Sequence, residues 1–272
     1  MSVARDGVSE GGKMLGHLEN MLLQDDIEEI WRLHCDLMAQ YGFDRLIYGF
    51  TPFTSSPGHE DPDDAFVLSN HDPDYLKEFI KGNLFLHAPM VRWTTRNVGA
   101  CSWSWVQERK RKGLLTPGEL RVLELNGRYA VNAGVSIAFA DSFRRAKGGI
   151  GLCAERGLSQ TEVDELWDRH GRELIVLNSI LHLRVSTMSV MTSRRALTDR
   201  QRQVLEWIAD GKTSADIAMI MGLTNATVEK HLRLAREALD VETTAQAVVK
   251  ATLQKQLFSN NAPSSWNLLK DS

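Results

Sequence analysis

Glu229, Lys230, Arg233 and Arg236 lie at spacings that put them along one side of a helix. Val228, Leu232, Ala235 and Leu239 recur at steps of four, three and four, which makes a buried stripe on the other side. A helix of this kind fits the major groove of DNA. There Arg233 could donate two bonds to a guanine, Lys230 could do so less rigidly, and Glu229 could accept from a cytosine amino group. Thr224 and Thr227, at the start of the same helix, suit phosphate contacts. Lys212, His231 and Arg236 suit flanking phosphates. The same residues also allow a plainer reading: a small helical bundle with Glu229 and Arg233 as a surface pair.

Other reactive side chains form no constellation. His87 stands in "FLHAPMVRW" with no ligand-spaced neighbour and is expected to be structural. His170 and His182 lie on one long helix, but their spacing suits no metal-ligand pair, so no metal site is expected. Cys35, Cys101 and Cys153 are odd in number and far apart, which argues against a disulfide framework and for a reduced, cytoplasmic setting. The run Arg109-Lys110-Arg111-Lys112 reads as a solvated loop in preference to a second nucleic-acid contact. No nucleophile elbow, phosphate loop or paired-carboxylate spacing occurs, so no catalytic residue is assigned and the chain is not expected to be an enzyme.

The positioning elements follow from periodicity and caps. Residues 14–40 carry helical spacing, and residues 1–13 read as a loose tail without a signal-peptide core. Strands are expected at 43–50, 65–70, 99–106, and in "GVSIAFAD" and "GGIGLCAE". In "GACSWSWV", Trp103 and Trp105 alternate with small residues, so one would face the core and the other solvent. Asp72-Pro73 starts one helix, and Thr116 with Glu119 starts another. Ser159 with Glu162 opens a third, with a stripe from Val163 through Leu166, Trp167, His170, Leu174 and Leu177 to Leu181. Residues 186–196 read as a linker. Beyond them come four short helices with threonine N-caps at Thr198, Thr213, Thr224 and Thr243, ending near residue 258. Residues 259–272 read as a tail. The expected fold is an α+β domain over 14–185, an antiparallel sheet of about five strands between helical layers, joined to an all-α four-helix helix-turn-helix domain over 197–258.

The chain has 272 residues and a net charge of −3. From Arg194 to Phe258 ten Lys and Arg stand against eight Asp and Glu, a mild positive excess. No apolar run approaches the roughly 20 residues of a membrane span, so no membrane partner is expected.

The segment from Leu197 to Val241 resembles the LuxR/FixJ-type helix-turn-helix. The resemblance is carried by Leu197, Thr198, Arg200, Val204, Leu205, Gly211, Ile217, Ala218, Gly222, Thr227, Val228, His231 and Leu239; Gln201 stands where the family usually has glutamate. It implies a dimeric transcription regulator on double-stranded DNA with an inverted-repeat site, with RNA polymerase as a further candidate partner.

Residues 1–185 resemble the autoinducer-binding domain of LuxR-type quorum-sensing receptors, from "YLKEFIKGNLFLHAPMVRW" through "CSW" to "AGVSIAF" and the helix after Ser159. That resemblance implies a homodimer, formed through the long helix with Val248 and Ala251 of the last helix as a second contact. It implies no cofactor but a small lipophilic signal, an acyl-homoserine lactone or an analogue. The family's lactone-binding tryptophan becomes Tyr75 and its pocket tyrosine becomes Phe79. The amide-accepting aspartate becomes Ala88, beside Pro89. The packing tryptophan is kept as Trp103, Gly134 matches, and His71 stands where the family often touches the acyl chain. The departures imply a non-standard ligand or weak lactone binding. A constitutive regulator, whose N-terminal domain serves dimerisation or a protein partner, is the alternative.

Overall fold

The computed structural model describes residues 6–51, 65–140, 146–188 and 196–258. They divide into two compact units, with the chain passing from one to the other after Ser186.

The first unit holds a five-stranded sheet in the order β2-β1-β5-β4-β3. The strands are β1 (Phe43–Thr51), β2 (Phe66–Ser69), β3 (Gly99–Ser102), β4 (Gly134–Ala138) and β5 (Lys147–Ala154). β4 runs antiparallel to both β3 and β5, pairing Ser136 with Cys101 on one side and with Gly151 on the other. Because strand side chains alternate, this register sends Gly134, Ser136, Gly149, Gly151 and Cys153 to one face. Val135, Ile137, Ile150 and Leu152 go to the other.

Helices cover both faces. α1 (Asp6–Leu23), α2 (Ile27–Gln40) and α7 (Gln160–Thr187) form one layer. His182 of α7 hydrogen-bonds Tyr48 of β1 through Nδ1 at 2.9 Å and stacks on Phe139 at 4.3 Å. Asn178 of α7 donates to the Leu174 carbonyl at 2.7 Å, which turns its Oδ1 toward Nε2 of buried His34 on α2, at 3.0 Å. The opposite layer begins with α3 (Pro73–Leu76), which runs into a π-helical turn, Lys77–Lys81. A 3-10 turn, Leu84–His87, leads to α4 (Pro89–Arg96), and α6 (Pro117–Arg128) completes the layer. α4 lies on the glycine side of β5, where a Cβ on Gly149 would stand 3.1 Å from Thr94. Bare backbone there lets the helix approach closely.

Four sequence expectations are corrected. The helical stretch at 14–40 is two helices, because Asp26 accepts the Glu28 N–H at 2.9 Å and caps a new start. α1 reaches back to Asp6, taking in backbone assigned to a tail, while residues 1–5 lie outside the described residues. α7 extends to Thr187, two residues into the expected linker. The strand at 99–106 stops at Ser102. There the Ser102 hydroxyl accepts the Ser104 N–H at 3.0 Å, Trp103 turns to helical angles, and α5 (Ser104–Arg111) begins. Trp103 and Trp105 therefore do not alternate on a strand, and both are half-buried. Most of the basic run belongs to α5: Arg109 lies over the Trp105 ring, and Lys112 pairs with Glu108 at 2.7 Å.

The second unit holds α8 (Asp199–Ala209), α9 (Ser214–Met221), α10 (Asn225–Leu239) and α11 (Thr244–Leu253). All four start at the expected threonines. Thr213 and Asp216 form a third reciprocal cap beside those of Thr198 and Thr243. Aspartate there does what glutamate usually does, so the pattern is easily passed over. Bonding to Thr213 holds the Asp216 carboxyl below the usual carboxylate range. Gly222 closes α9 at φ 65°, a left-handed position that suits glycine. Val204, Leu205, Ile217, Val228, Leu232, Ala235, Leu239 and Ala251 are buried together in the core.

Candidate signal site and DNA interface

The expected ligand residues gather on the glycine-bearing face of the sheet. Tyr75, Phe79, Ala88, Val122, Leu125, Val131 and Cys153 are buried in one cluster, with Trp103, Tyr129 and Ile47 packed against it. Tyr75 and Phe79 sit one helical turn apart and stack at 5.3 Å, and His71 stacks on the other side of Tyr75 at 4.9 Å. Tyr129 meets Tyr75 edge-on at 5.6 Å. The result is a column of aromatic rings facing the sheet, with the Ala88 methyl group beside it.

The polar groups of this cluster are largely committed to one another. Tyr75 Oη donates to Asn126 Oδ1 at 3.1 Å, so its proton is already used. Trp103 Nε1 donates to Ser136 Oγ at 2.9 Å. Burial pushes the Tyr75 hydroxyl pKa up and lowers that of His71 to about 4. The nearby Arg45 guanidinium is the second cause of the lowered His71 value, and Asp44 opposes it. Arg45 itself, little exposed, donates to the carbonyls of Tyr129, Ala130 and Ala154 and pairs with Asp44 at 2.9 Å. It fastens β1 to the ends of α6 and β5.

Ala88 is the N-cap of α4 and has no side-chain capping bond. It is 5 % exposed, so the position is inside the fold. Next to it, His87 is exposed and its ring lies over Gly118, where a Cβ would come within 2.9 Å. That is a packing contact, in keeping with a structural role. Arg92 of α4 pairs with Glu119, which is 1 % exposed. Burial alone would raise that carboxyl's pKa. The Thr116 cap and Arg92 outweigh it and hold Glu119 in its charged form.

Gly134 matters because there is no room for a side chain. An added Cβ would collide with the Leu152 carbonyl oxygen and lie 3.0 Å from the Trp103 ring. Gly134→Ala is expected to destabilise the N-terminal unit by about 3 kcal/mol, since a paired strand carbonyl cannot move aside. Urea unfolding followed by tryptophan emission measures this, and an unchanged midpoint would show that the strand yields freely.

In the second unit, α9, the turn and α10 form the helix-turn-helix. Glu229, Lys230 and Arg233 are exposed on α10, and Lys212 is exposed just before the cap of α9. Arg233 pairs with Glu237, and Glu229 accepts from Ser214 Oγ at 2.6 Å. The Glu229–Arg233 surface pair of the plainer reading is therefore replaced by these two contacts. An exposed pair is worth about 0–1 kcal/mol, too little to keep Arg233 from a base. Thr224 caps α10 through the Thr227 N–H at 3.2 Å, and the two hydroxyls bond at 2.9 Å. His231 and Arg236 are half-buried, and Arg236 donates to Thr244 Oγ1 at 2.9 Å, tying α10 to α11.

Asn126, Ser136, Arg45 and Gln160 went unnoticed in the sequence. Ser136 alone carried a signal: it sits two residues after Gly134 and so shares its face.

An α+β unit with a buried aromatic cluster, followed by a helix-turn-helix, has the organisation of a transcription regulator with an N-terminal sensing domain. The comparisons identify which one. Residues 26–185 match the family described as autoinducer binding domain, and residues 195–251 match that described as bacterial regulatory proteins, luxR family. The chain belongs to this family of LuxR-type quorum-sensing regulators, with an autoinducer-binding and a DNA-binding domain. It is 24% identical over 237 residues to the transcriptional activator AnoR of Acinetobacter nosocomialis, covering 87% of this chain and 95% of that one. It is also 24% identical to the transcriptional activator LuxR of Aliivibrio fischeri over 196 residues, 70% of this chain and 74% of the relative. Among solved structures, Escherichia coli SdiA aligns with a TM-score of 0.49 at 18% identity, over 90% of this chain and 98% of the other. The family consists of transcription regulators, not enzymes, and no described helix is long and apolar enough to cross a membrane.

Proposed function

We propose that the protein is a cytoplasmic, homodimeric regulator that binds a small lipophilic signal at the Tyr75–Phe79–Trp103 cluster. The dimer binds an inverted-repeat promoter site through α10. The observation that carries this reading is the buried aromatic column around Ala88, in a chain whose α10 presents Lys230 and Arg233 to solvent. Dimerisation through α7 is supported by its exposed Ile175, Val176 and Leu183. A second contact on α11 would use Val249, which is exposed, and not Ala251, which is buried in its own core. RNA polymerase is a further partner in this reading.

The signal is not an ordinary acyl-homoserine lactone bound in the usual way. Such a ligand needs an acceptor for its amide N–H, and Ala88 supplies none. A buried N–H without a partner costs about 1–3 kcal/mol. The lactone carbonyl would also have to displace Asn126 from Tyr75. These two observations also favour the second reading, a ligand-independent regulator. Titration of the full-length protein with N-octanoyl-homoserine lactone, followed by calorimetry, tests both. Tight, saturable binding would overturn the claim about the signal.

Arg233→Ala is expected to relax base preference at one position per half-site by about 1–3 kcal/mol. Lys212→Ala is expected to weaken all sequences alike and flatten the salt dependence by about one unit of slope. Competition binding with randomised operators at several salt concentrations reads both, and unchanged specificity in Arg233→Ala would remove its base-reading role.

A further inference from the structure

Gln160, the first residue of α7, is 7 % exposed and its amide is engaged at both ends. Its Oε1 accepts the Gly134 N–H at 2.9 Å, and its Nε2 lies 3.1 Å from the Gly134 carbonyl. The side chain thus pairs with both backbone groups of one residue, as a neighbouring strand would. Nε2 also reaches Ser102 Oγ at 3.1 Å and Asp164 Oδ1 at 2.9 Å. Ser102 Oγ lies 2.6 Å from the same Asp164 oxygen and accepts the Ser104 N–H.

Trp103 sits in the middle of this network. Its own N–H donates to the Gly134 carbonyl at 3.1 Å, and its ring rests against Gly134. Ser102 and Ser104 flank it in the chain. The first two turns of α7 are therefore hydrogen-bonded to Ser102, which precedes Trp103, and to the glycine beneath its ring, while Ser104 on the other side is held by Ser102. The two bonds to Gly134 are buried, where a group that loses its partner finds no water to replace it, and those among Gln160, Ser102 and Asp164 are part-buried.

We infer that Gln160 is a positioning residue that couples the placement of Trp103 to the first turns of α7. The inference rests on the proposed reading that Trp103 faces the signal and that α7 joins the dimer. In that reading, a ligand that moves the Trp103 ring shifts Gly134 against Gln160, and the start of α7 must follow. The coupling is local, and each link is a contact between named atoms.

Amide hydrogen exchange on the full-length, ligand-free protein tests it through a double-mutant cycle of Trp103→Phe and Gln160→Met. Trp103→Phe in the parent is expected to speed exchange of residues 163–168 by about tenfold. In the Gln160→Met background it should add less than about twofold. Equal acceleration in both backgrounds, or none in the parent, overturns the inference. Should Gln160→Met lose its fold by circular dichroism, Gln160→Glu is read in the same cycle, since it keeps the acceptor for the Gly134 N–H and loses the donor. Because no ligand is present, a failure of every candidate signal to bind would sink the signal reading and leave the coupling standing.

Discussion

Ala88→Asp is expected to convert this domain toward ordinary lactone recognition. The substitution places a carboxylate where the family keeps its amide acceptor, at a position 5 % exposed. Two effects compete in the ligand-free protein. Burying an unpaired charge costs several kcal/mol. Against that, Ala88 is the N-cap of α4 and makes no side-chain cap, and an aspartate there would accept a helix N–H, worth about 1 kcal/mol. The burial cost wins, so the free variant should be less stable by a few kcal/mol. A ligand that brings an amide N–H supplies the missing partner. A charge-assisted bond of about 1.5–3 kcal/mol should tighten N-octanoyl-homoserine lactone by roughly tenfold to a hundredfold. The variant's melting temperature should accordingly rise more on adding the lactone than the parent's does. Ala88→Asn, a neutral acceptor, should gain less. A folded Ala88→Asp protein with unchanged lactone affinity would show that the ligand amide does not lie beside residue 88.

Acidification should weaken the N-terminal unit well before its carboxylates titrate. His34 is fully buried, and burial lowers its pKa to about 4, against an ordinary 6.5. The Asn178 carbonyl oxygen opposes that shift, and His17 adds to it. Asn178 Oδ1 requires His34 to donate from Nε2, so Nδ1 carries the lone pair, and among the described residues it has no hydrogen-bond partner. A proton arriving there would be buried and unpaired. His71 is lowered to about 4 for the same first reason, burial, with Arg45 adding to it.

Above pH 6.5 both histidines are neutral in the folded and unfolded chains, and neither contributes a pH dependence. Between pH 6.5 and about 4 the unfolded chain takes up protons that the folded one refuses, so stability falls as pH falls. Each histidine contributes at most about 3 kcal/mol across that window. Urea unfolding at pH 7 and pH 5 should therefore differ by a few kcal/mol. His34→Gln should remove part of the slope. A flat profile between those two pH values would mean that both imidazoles accept protons in the folded state.

The helix-turn-helix was legible almost residue by residue. Thr198, Thr213, Thr224 and Thr243 each cap the helix that follows, and Gly222 ends α9, through contacts with residues three or four positions away. Such contacts are written in the local sequence and need no partner from elsewhere. The strand pair β4–β5 and the capping pairs Thr116–Glu119 and Ser159–Glu162 were legible for the same reason. The strand expected at 99–106 was misjudged because Ser102 ends it by a side-chain bond that competes with the ladder, and alternation does not reveal that.

By itself, then, the sequence determined the capped helices, most of the strands and the succession of a sensing-type unit and a helix-turn-helix, and it singled out the positions proposed to approach a signal or a base. Only the tertiary structure decided what those positions meet. Asn126 lies 51 residues from the Tyr75 hydroxyl it holds, Ser136 lies 33 from Trp103, and Asn178 lies 144 from His34. Pairings at such separations follow from strand register and from which helix face packs on which sheet face. A shift of a single residue in a strand exchanges every side chain between the two faces, so local pattern cannot choose the partner.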